Sequence, residues 1–441
     1  MSEMILNSAK KTNVRYFILA MLFIVTTLNY VDRATLSMAA PAMRKDLGLD
    51  AVTMGYAFSA FGWSYTALQI PGGWTLDKFG AKVVYGTGLF LWSFFTFLQG
   101  MTGFLFGLGA FATLFGLRFL MGVAEAPAFP ANSRITTMWF PTHERGVASA
   151  IFNSAQYFAL AAFNPLMGWI LVAFGWRHVF FAMGLVGIVM ALIWFKVIKD
   201  PSRHPSVNAE ELEYIQSGGG LAKLGDKKTT IKWSYIQSLI TNRMMIGIYL
   251  GQFCLNTITW FFLTWFPTYL VQAKGMSILK VGLIASIPAI CGFIGGLSGG
   301  IVSDWLLRRG YSLTLARKTP IIIGLVLSGT IILANYVQTE SVVIAVMSLA
   351  FFAKGFGALG WVVISDTSPK EMVGLSGGIF NFAGNIASIV TPIAIGYILK
   401  ETGSFNGALV FVGAMGILGA LSYLLIVGEI KRFELKIEDK N

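Results

Sequence analysis

Cysteine, histidine and charge are scarce in this chain. Its 441 residues hold two cysteines and three histidines, and only 12% are Asp, Glu, Lys or Arg. Cys254 and Cys291 both fall inside apolar runs, so neither a disulfide framework nor a thiolate metal site is implied. His143, His178 and His204 stand in loops without ligand spacing, and no paired nucleophile and base is found. No metal, no cofactor and no enzymatic activity are therefore expected. Soluble domains carry about 25% charged residues. With 55% hydrophobic residues and a mean hydropathy of +0.68, the chain is excluded from that class.

What is abundant is apolar runs of about 20 residues, each long enough to cross a bilayer. They predict helices near 16–42, 52–75, 82–102, 108–133, 146–173, 177–198, 244–271, 279–304, 316–336, 342–366, 375–399 and 406–428. The expected fold is an all-α membrane protein of about twelve transmembrane helices. One long polar interval divides it into a six-helix half at 1–198, a central loop at 199–243 and a six-helix half at 244–441. The net charge of +12 forms no single basic face, which argues against nucleic acid. Instead, 23 of the 33 Lys and Arg fall on the side that bears both termini and the central loop, and six on the other. By the positive-inside rule the termini and that loop are expected in the cytoplasm. Lys10, Lys11 and Arg15 followed by Ser37-Met38-Ala39-Ala40 imitate a signal peptide, but the run is too long and carries Asp32 and Arg33.

The halves resemble each other. Gly73 to Asp77 recurs in spacing as Gly300 to Asp304, 227 residues on, and Ile151-Phe152-Asn153 recurs as Ile379-Phe380-Asn381, 228 residues on. Pro141, Gly146 and Gly168 match Pro369, Gly374 and Gly396 at the same offset. Two pseudo-symmetric halves are the architecture of carriers that alternate access about a midplane site.

Buried charge breaks this symmetry. Asp32 and Arg33 sit inside the first apolar run, where a charge costs roughly 2.5–3.5 kcal/mol on insertion scales. Arg118 and Glu125 are two turns apart, on one face of the fourth helix, and Lys354 lies within the tenth. The repeat offset carries Asp32, Arg33, Arg118 and Glu125 to Thr259, Trp260, Val346 and Ala353, so the second half lacks these charges. A static ion pair locking the first helix to the fourth is the competing reading.

Gly73-Trp74-Thr75-Leu76-Asp77-Lys78-Phe79-Gly80-Ala81-Lys82 resembles the signature loop of the major facilitator superfamily. In that light Asp77, Lys78 and Lys82, with Asp304 and Arg308 of the repeat, are expected to form a gating latch between the halves. Asn29 to Ala34, Gln69 to Trp74, Arg118 through Pro130, Trp265 to Leu270 and Gly378 to Phe382 resemble the anion:cation symporter family. Asn153 to Phe158 and Val427 to Arg432 are similar to the bacterial glucarate/galactarate permeases within it. The resemblance implies a monomeric proton symporter of the bacterial inner membrane that imports glucarate or galactarate. A galactonate or hexuronate symporter, and an organic-anion antiporter, are the alternatives.

It further implies a substrate site at Tyr30, Arg33, Tyr65, Gln156, Gln252, Trp361 and Asn381. Arg33 suits a carboxylate because its planar fork binds bidentately. Asp32 and Glu125 are expected to exchange protons while Arg118 holds them near each other. Lys354, two turns from Trp361 on one helix face, is expected to read a second carboxylate. Gln252 with Asn256, and Asn381 with Asn385, share faces that suit a polyol.

Overall fold

The computed structural model describes residues 11–104, 109–220, 233–369 and 373–433. The Asp226-Lys227-Lys228 run and Lys370 lie outside them. Among the described residues every regular element is helical. Six long helices precede the central interval: α1 Val14–Leu47, α2 Ala51–Phe79, α3 Ala81–Gln99, α4 Ala110–Trp139, α5 Arg145–Phe174 and α6 Trp176–Val197. Six follow it: α7 Arg243–Thr264, α8 Ile278–Arg308, α9 Leu313–Asn335, α10 Glu340–Thr367, α11 Leu375–Thr402 and α12 Asn406–Ile426. Eleven are long and apolar enough to cross a membrane. The remaining one, α2, has 29 residues, about 43 Å at 1.5 Å per residue, and packs between α4 and α11.

Local chemistry sets the ends. The Asp50 side chain accepts from the Thr53 amide and starts α2, and Asn242 does the same for α7 through Met245. Gly48, at φ +64°, closes α1, a left-handed conformation that a side chain would disfavour.

Five spans differ from the uninterrupted runs expected; the eleventh does so by a break at Ile386. The fourth breaks after Glu125 at Ala126-Pro127 and resumes at Ala128, ending at Trp139 rather than near 133. The seventh breaks at Trp265, with Pro267 in the first turn of the segment Phe266–Gln272. The eighth breaks at Ala285, ahead of Pro288. The tenth ends a first segment at Phe356 and resumes at Gly360. Gly355, Gly357 and Gly360 cluster there, and glycine is the costliest ordinary residue in a helix. Lys354 and Trp361 therefore do not share a continuous helix face, contrary to expectation.

Both described chain ends emerge at one end of the bundle, where Arg15 of α1 meets Glu144 before α5, and the Phe433 amide donates to the carbonyl of Thr367. At the opposite end the first six spans close on the last six. Ser37 Oγ donates to the Thr264 carbonyl at 2.8 Å, Arg44 Nη1 to Gln272 Oε1 at 3.3 Å, and the Tyr56 and Tyr397 hydroxyls are 3.4 Å apart. Gly168 faces Gly282 so closely that a Cβ on it would lie 3.1 Å from the Gly282 Cα. Toward the end that carries the termini, a Gln69–Asn381 hydrogen bond bridges the two sets of helices, and Trp361 is 53% exposed.

Candidate functional site

α1 carries Tyr30, Asp32 and Arg33 into the middle of the bundle, where Asp32 and Arg33 are buried. The Arg33 guanidinium is ion-paired to the Glu125 carboxylate, which α4 presents at its break. Three rings surround the same guanidinium: Tyr30 at 4.9 Å, Phe61 at 4.7 Å and Tyr65 at 4.8 Å from its centre. A desolvated guanidinium over aromatic faces gains about 2 kcal/mol or more. The pair is thus stabilised by charge-assisted contacts of Nε and Nη2 with one oxygen, Oε1 of Glu125, and by the π-faces around the guanidinium.

Glu125 was expected to share Arg118 with Asp32. It pairs with Arg33 instead, because the break after Glu125 turns its carboxylate toward α1. Arg118, 1% exposed, has its Nη1 on the Met121 sulfur at 3.6 Å, and its guanidinium lies 5.6 Å from the centre of the Phe61 ring. Phe61 therefore contacts both guanidiniums. Asp32 accepts from Ser93 Oγ of α3 at 3.2 Å and keeps its other oxygen unpartnered. An apolar compartment with two cations and two acids, only one of them ion-paired, is chemically suited to proton exchange or anion binding.

The last six spans supply the other wall. Lys354, 4% exposed, ends 5.3 Å from the centre of the Phe351 ring and 5.5 Å from that of Tyr157, which α5 sends across from the first six spans. Among the described residues it makes no ion pair. Gln252 Nε2 donates to Asn256 Oδ1 at 3.2 Å, and Asn385 Nδ2 donates to Asn381 Oδ1 at 3.1 Å, so the shared faces form. Asn381 Nδ2 donates to Gln69 Oε1 at 2.7 Å. Trp361 packs edge-on against Phe380, with its ring open to the cavity end. Gln156 is half-buried and donates to the Asn153 carbonyl of its own helix.

The structure therefore brings Tyr30, Arg33, Tyr65, Arg118 and Glu125 together, with Asp32 one helix face away. Three further residues belong with them: Phe61, Gln69 and Tyr157. Gln69 and Tyr157 lie in stretches that carry the family resemblance, which does not single them out, and Phe61 is one aromatic among many in an apolar run.

Among the described residues, no ion pair or cation–π contact carries Lys78, Lys82, Asp304 or Arg308 across the bundle. The side chain of Asp77 lies outside the described residues. The Lys78 ammonium sits over Trp74 and Phe79 of its own helix end, at 5.0 and 5.2 Å, and Lys82 is half-buried at the start of α3. Asp304 is 3.4 Å from Arg317 of α9, which also holds Asp366 of α10 at 2.9 Å. Arg308 is exposed. These contacts of Lys78 and Asp304 all lie within their own set of helices.

Among the described residues no group of His, Cys, Asp and Glu is placed to hold a metal. The family model of the Major Facilitator Superfamily matches residues 22–316. The chain is 59% identical over 438 residues to the probable galactarate/D-glucarate transporter GudP of Bacillus subtilis (strain 168), covering 98% of this chain and 96% of that one. It is also 59% identical over 433 residues to the probable galactarate/D-glucarate transporter GudP of Escherichia coli (strain K12), covering 97% and 96%. Among solved structures, the D-xylose-proton symporter superposes with a TM-score of 0.73 at 17% identity, over 94% of this chain and 98% of that one. With that match across two thirds of its length and a twelve-helix fold to go with it, this chain belongs to the Major Facilitator Superfamily of membrane transporters.

Proposed function

We propose that this transporter imports sugar diacids of the glucarate and galactarate type together with protons, across a bacterial inner membrane, by alternating access. The observation that carries the reading is the buried Arg33–Glu125 pair. A guanidinium held by a carboxylate of the protein can be handed to a carboxylate of the substrate, provided the first carboxylate is neutralised. Leaving either partner of a buried pair alone costs about 3–5 kcal/mol, so the exchange needs both a proton for Glu125 and an anion for Arg33. That requirement is coupling. The names of the two relatives support the substrate class.

The positive-inside distribution supports a cytoplasmic location for the end that carries the termini, and the contacts at the opposite end support an inward-open state. In the cycle, Glu125 and Asp32 take protons from outside and Arg33 is released. The substrate's first carboxylate then lies in the fork of Arg33 between the Tyr30 and Tyr65 hydroxyls. Lys354 compensates the second carboxylate from the other half, and Gln156, Gln252, Asn381 and Trp361 face the polyol chain. After the halves rock, Glu125 loses its proton to the cytoplasm and reclaims Arg33, which expels the anion. Asp77, Lys78, Lys82, Asp304 and Arg308 latch the cytoplasmic end when it is shut. With two protons per dianion the cycle moves no net charge; a third would add about 2.3 kcal/mol per 100 mV.

Uptake by purified protein in proteoliposomes tests this. Labelled galactarate should accumulate with an acidic outside and not without the gradient. A panel of aldarates, galactonate and hexuronates identifies the substrate class, and accumulation of galactonate alone would overturn the diacid assignment.

A further inference from the structure

The Met121 sulfur lies among three buried donors: Arg118 Nη1 at 3.6 Å, Thr96 Oγ1 at 3.8 Å and Gln99 Nε2 at 3.9 Å. A thioether is a weak acceptor, so none of the three is well satisfied by it. Around it Gln99 Oε1 and Arg118 Nε have no partner, and Asp32 Oδ1 and Trp92 Nε1, which face each other, make no hydrogen bond of ordinary geometry. Buried polar atoms are nearly always paired. So dense a group of exceptions, in one compartment bounded by α1, α3, α4 and α6, is the signature of internal water.

The compartment has a direction. Ser93, Thr96, Gln99 and Thr102 are all 0% exposed and three residues apart, so each neighbours the next while the row winds round α3 into the turn after it. Ser93 binds Asp32, and the row runs from there to the end of α3 at which the two sets of helices are closed. Nine residues cover about 13 Å, with successive polar groups about 5 Å apart, a gap that one water bridges. Asp32 faces Ser93 and Trp92 from α3, Arg118 and Glu125 from α4, and Gly187 from α6.

We propose that this compartment is a water-binding site, and that its waters, threaded along Ser93, Thr96, Gln99 and Thr102, form the route by which protons reach Asp32. The route lies wholly within the first six helices, apart from the path of the substrate between the two sets. This rests on the proton-coupled reading above. A local alternative exists: Thr96 and Thr102 hydroxyls bond to the carbonyls of Trp92 and Gln99, and the Gln99 amide to that of Phe95. On that alternative the row is self-satisfied and dry.

Two measurements separate them. Millisecond radiolytic footprinting of the wild-type protein oxidises a buried methionine only where water touches it. Met121 should be modified at least fivefold faster than Met347, which is equally buried; equal, low rates would overturn the site. In proteoliposomes with a trapped pH dye, galactarate-dependent proton uptake should fall at least tenfold in Thr96→Val and Gln99→Leu. Labelled counterflow at equal pH should stay within twofold, and Thr96→Ser should restore uptake. Wild-type proton rates in both variants, or parallel loss of counterflow, would overturn the route. Wild-type protein that moves galactarate without any proton signal would instead overturn the coupled reading itself.

Discussion

Asn381 donates to Gln69 at 2.7 Å, from α11 to α2, bridging the first and last six helices. The bond orients a proposed substrate ligand by way of a residue of the other half. Gln69→Leu should therefore weaken galactarate binding about three- to tenfold, in line with the 0.5–1.5 kcal/mol of one neutral hydrogen bond. Combining it with Asn381→Leu should add little further loss. Titration calorimetry on the two single variants and the double variant measures the coupling; fully additive losses would show that the two act apart.

Arg33→Lys keeps the charge and loses the fork. Galactarate affinity should drop at least tenfold, about 1.4 kcal/mol. Glu125→Gln should do the reverse at alkaline pH. In the wild type a deprotonated Glu125 competes for Arg33, so affinity should fall as pH rises, whereas the variant should bind with little pH dependence. Binding curves at several pH values check both, and a wild-type affinity indifferent to pH would remove Glu125 as the competitor.

Lys354 faces two rings and no carboxylate among the described residues. Lys354→Asn should weaken galactarate binding by about 1.5–3 kcal/mol, the worth of a charged hydrogen bond. Galactonate, with one carboxylate, should be affected far less. Side-by-side affinities decide the matter; equal losses would assign Lys354 to the fold and not to the second carboxylate.

At the end that carries the termini, Glu211 accepts from the Thr12 hydroxyl at 2.6 Å, from the Val14 and Arg15 amides, and from Arg15 Nη1 at 3.1 Å. Arg15 also binds Glu144, which Tyr214 holds at 2.7 Å. Burial works against the Glu144 carboxylate, yet the Arg15 and Tyr214 hydrogen bonds outweigh it and hold its pKa below the ordinary value. Its contribution to stability is therefore complete above about pH 4.3 and fades as pH falls through the lower folded value. On acidification from about pH 6 to about pH 3.5, the wild-type thermal midpoint should fall more steeply than that of Glu144→Gln. Parallel slopes would show the carboxylate to be unlinked to folding.

A Cβ on Gly55 would stand 2.6 Å from the Pro392 carbonyl oxygen, and backbone cannot move aside cheaply. Gly55→Val should wedge α2 from α11 and open the end that is closed here. In a background lacking Cys254 and Cys291, a Ser37→Cys probe should then react with an impermeant maleimide from outside at least fivefold faster. Unchanged labelling would place the gate elsewhere.

The amino-acid order alone determined the class, the number of spans and the identity of the buried charges. Each follows from a rule that acts locally: apolar runs must be long enough to cross lipid, and a charge inside one is too costly to stand there idly. Asp32, Arg33, Arg118, Glu125 and Lys354 were all legible for that reason. Their pairing was not. Glu125 takes Arg33 rather than Arg118 because α4 breaks at Ala126-Pro127, and no spacing rule anticipates where a carboxylate points after a break. Lys354 and Trp361 parted company through a similar break at Gly357. Phe61 was silent, and nothing within the stretches that carry the resemblance singles out Gln69, Tyr157 or Met121, since the role of a neutral or apolar side chain shows only when packing brings it against a charge. Which end is open was undecided as well. Both ends are built from the same helices, and only the contacts made between distant segments, such as Ser37 with Thr264 and Gln69 with Asn381, choose between two packings of one chain.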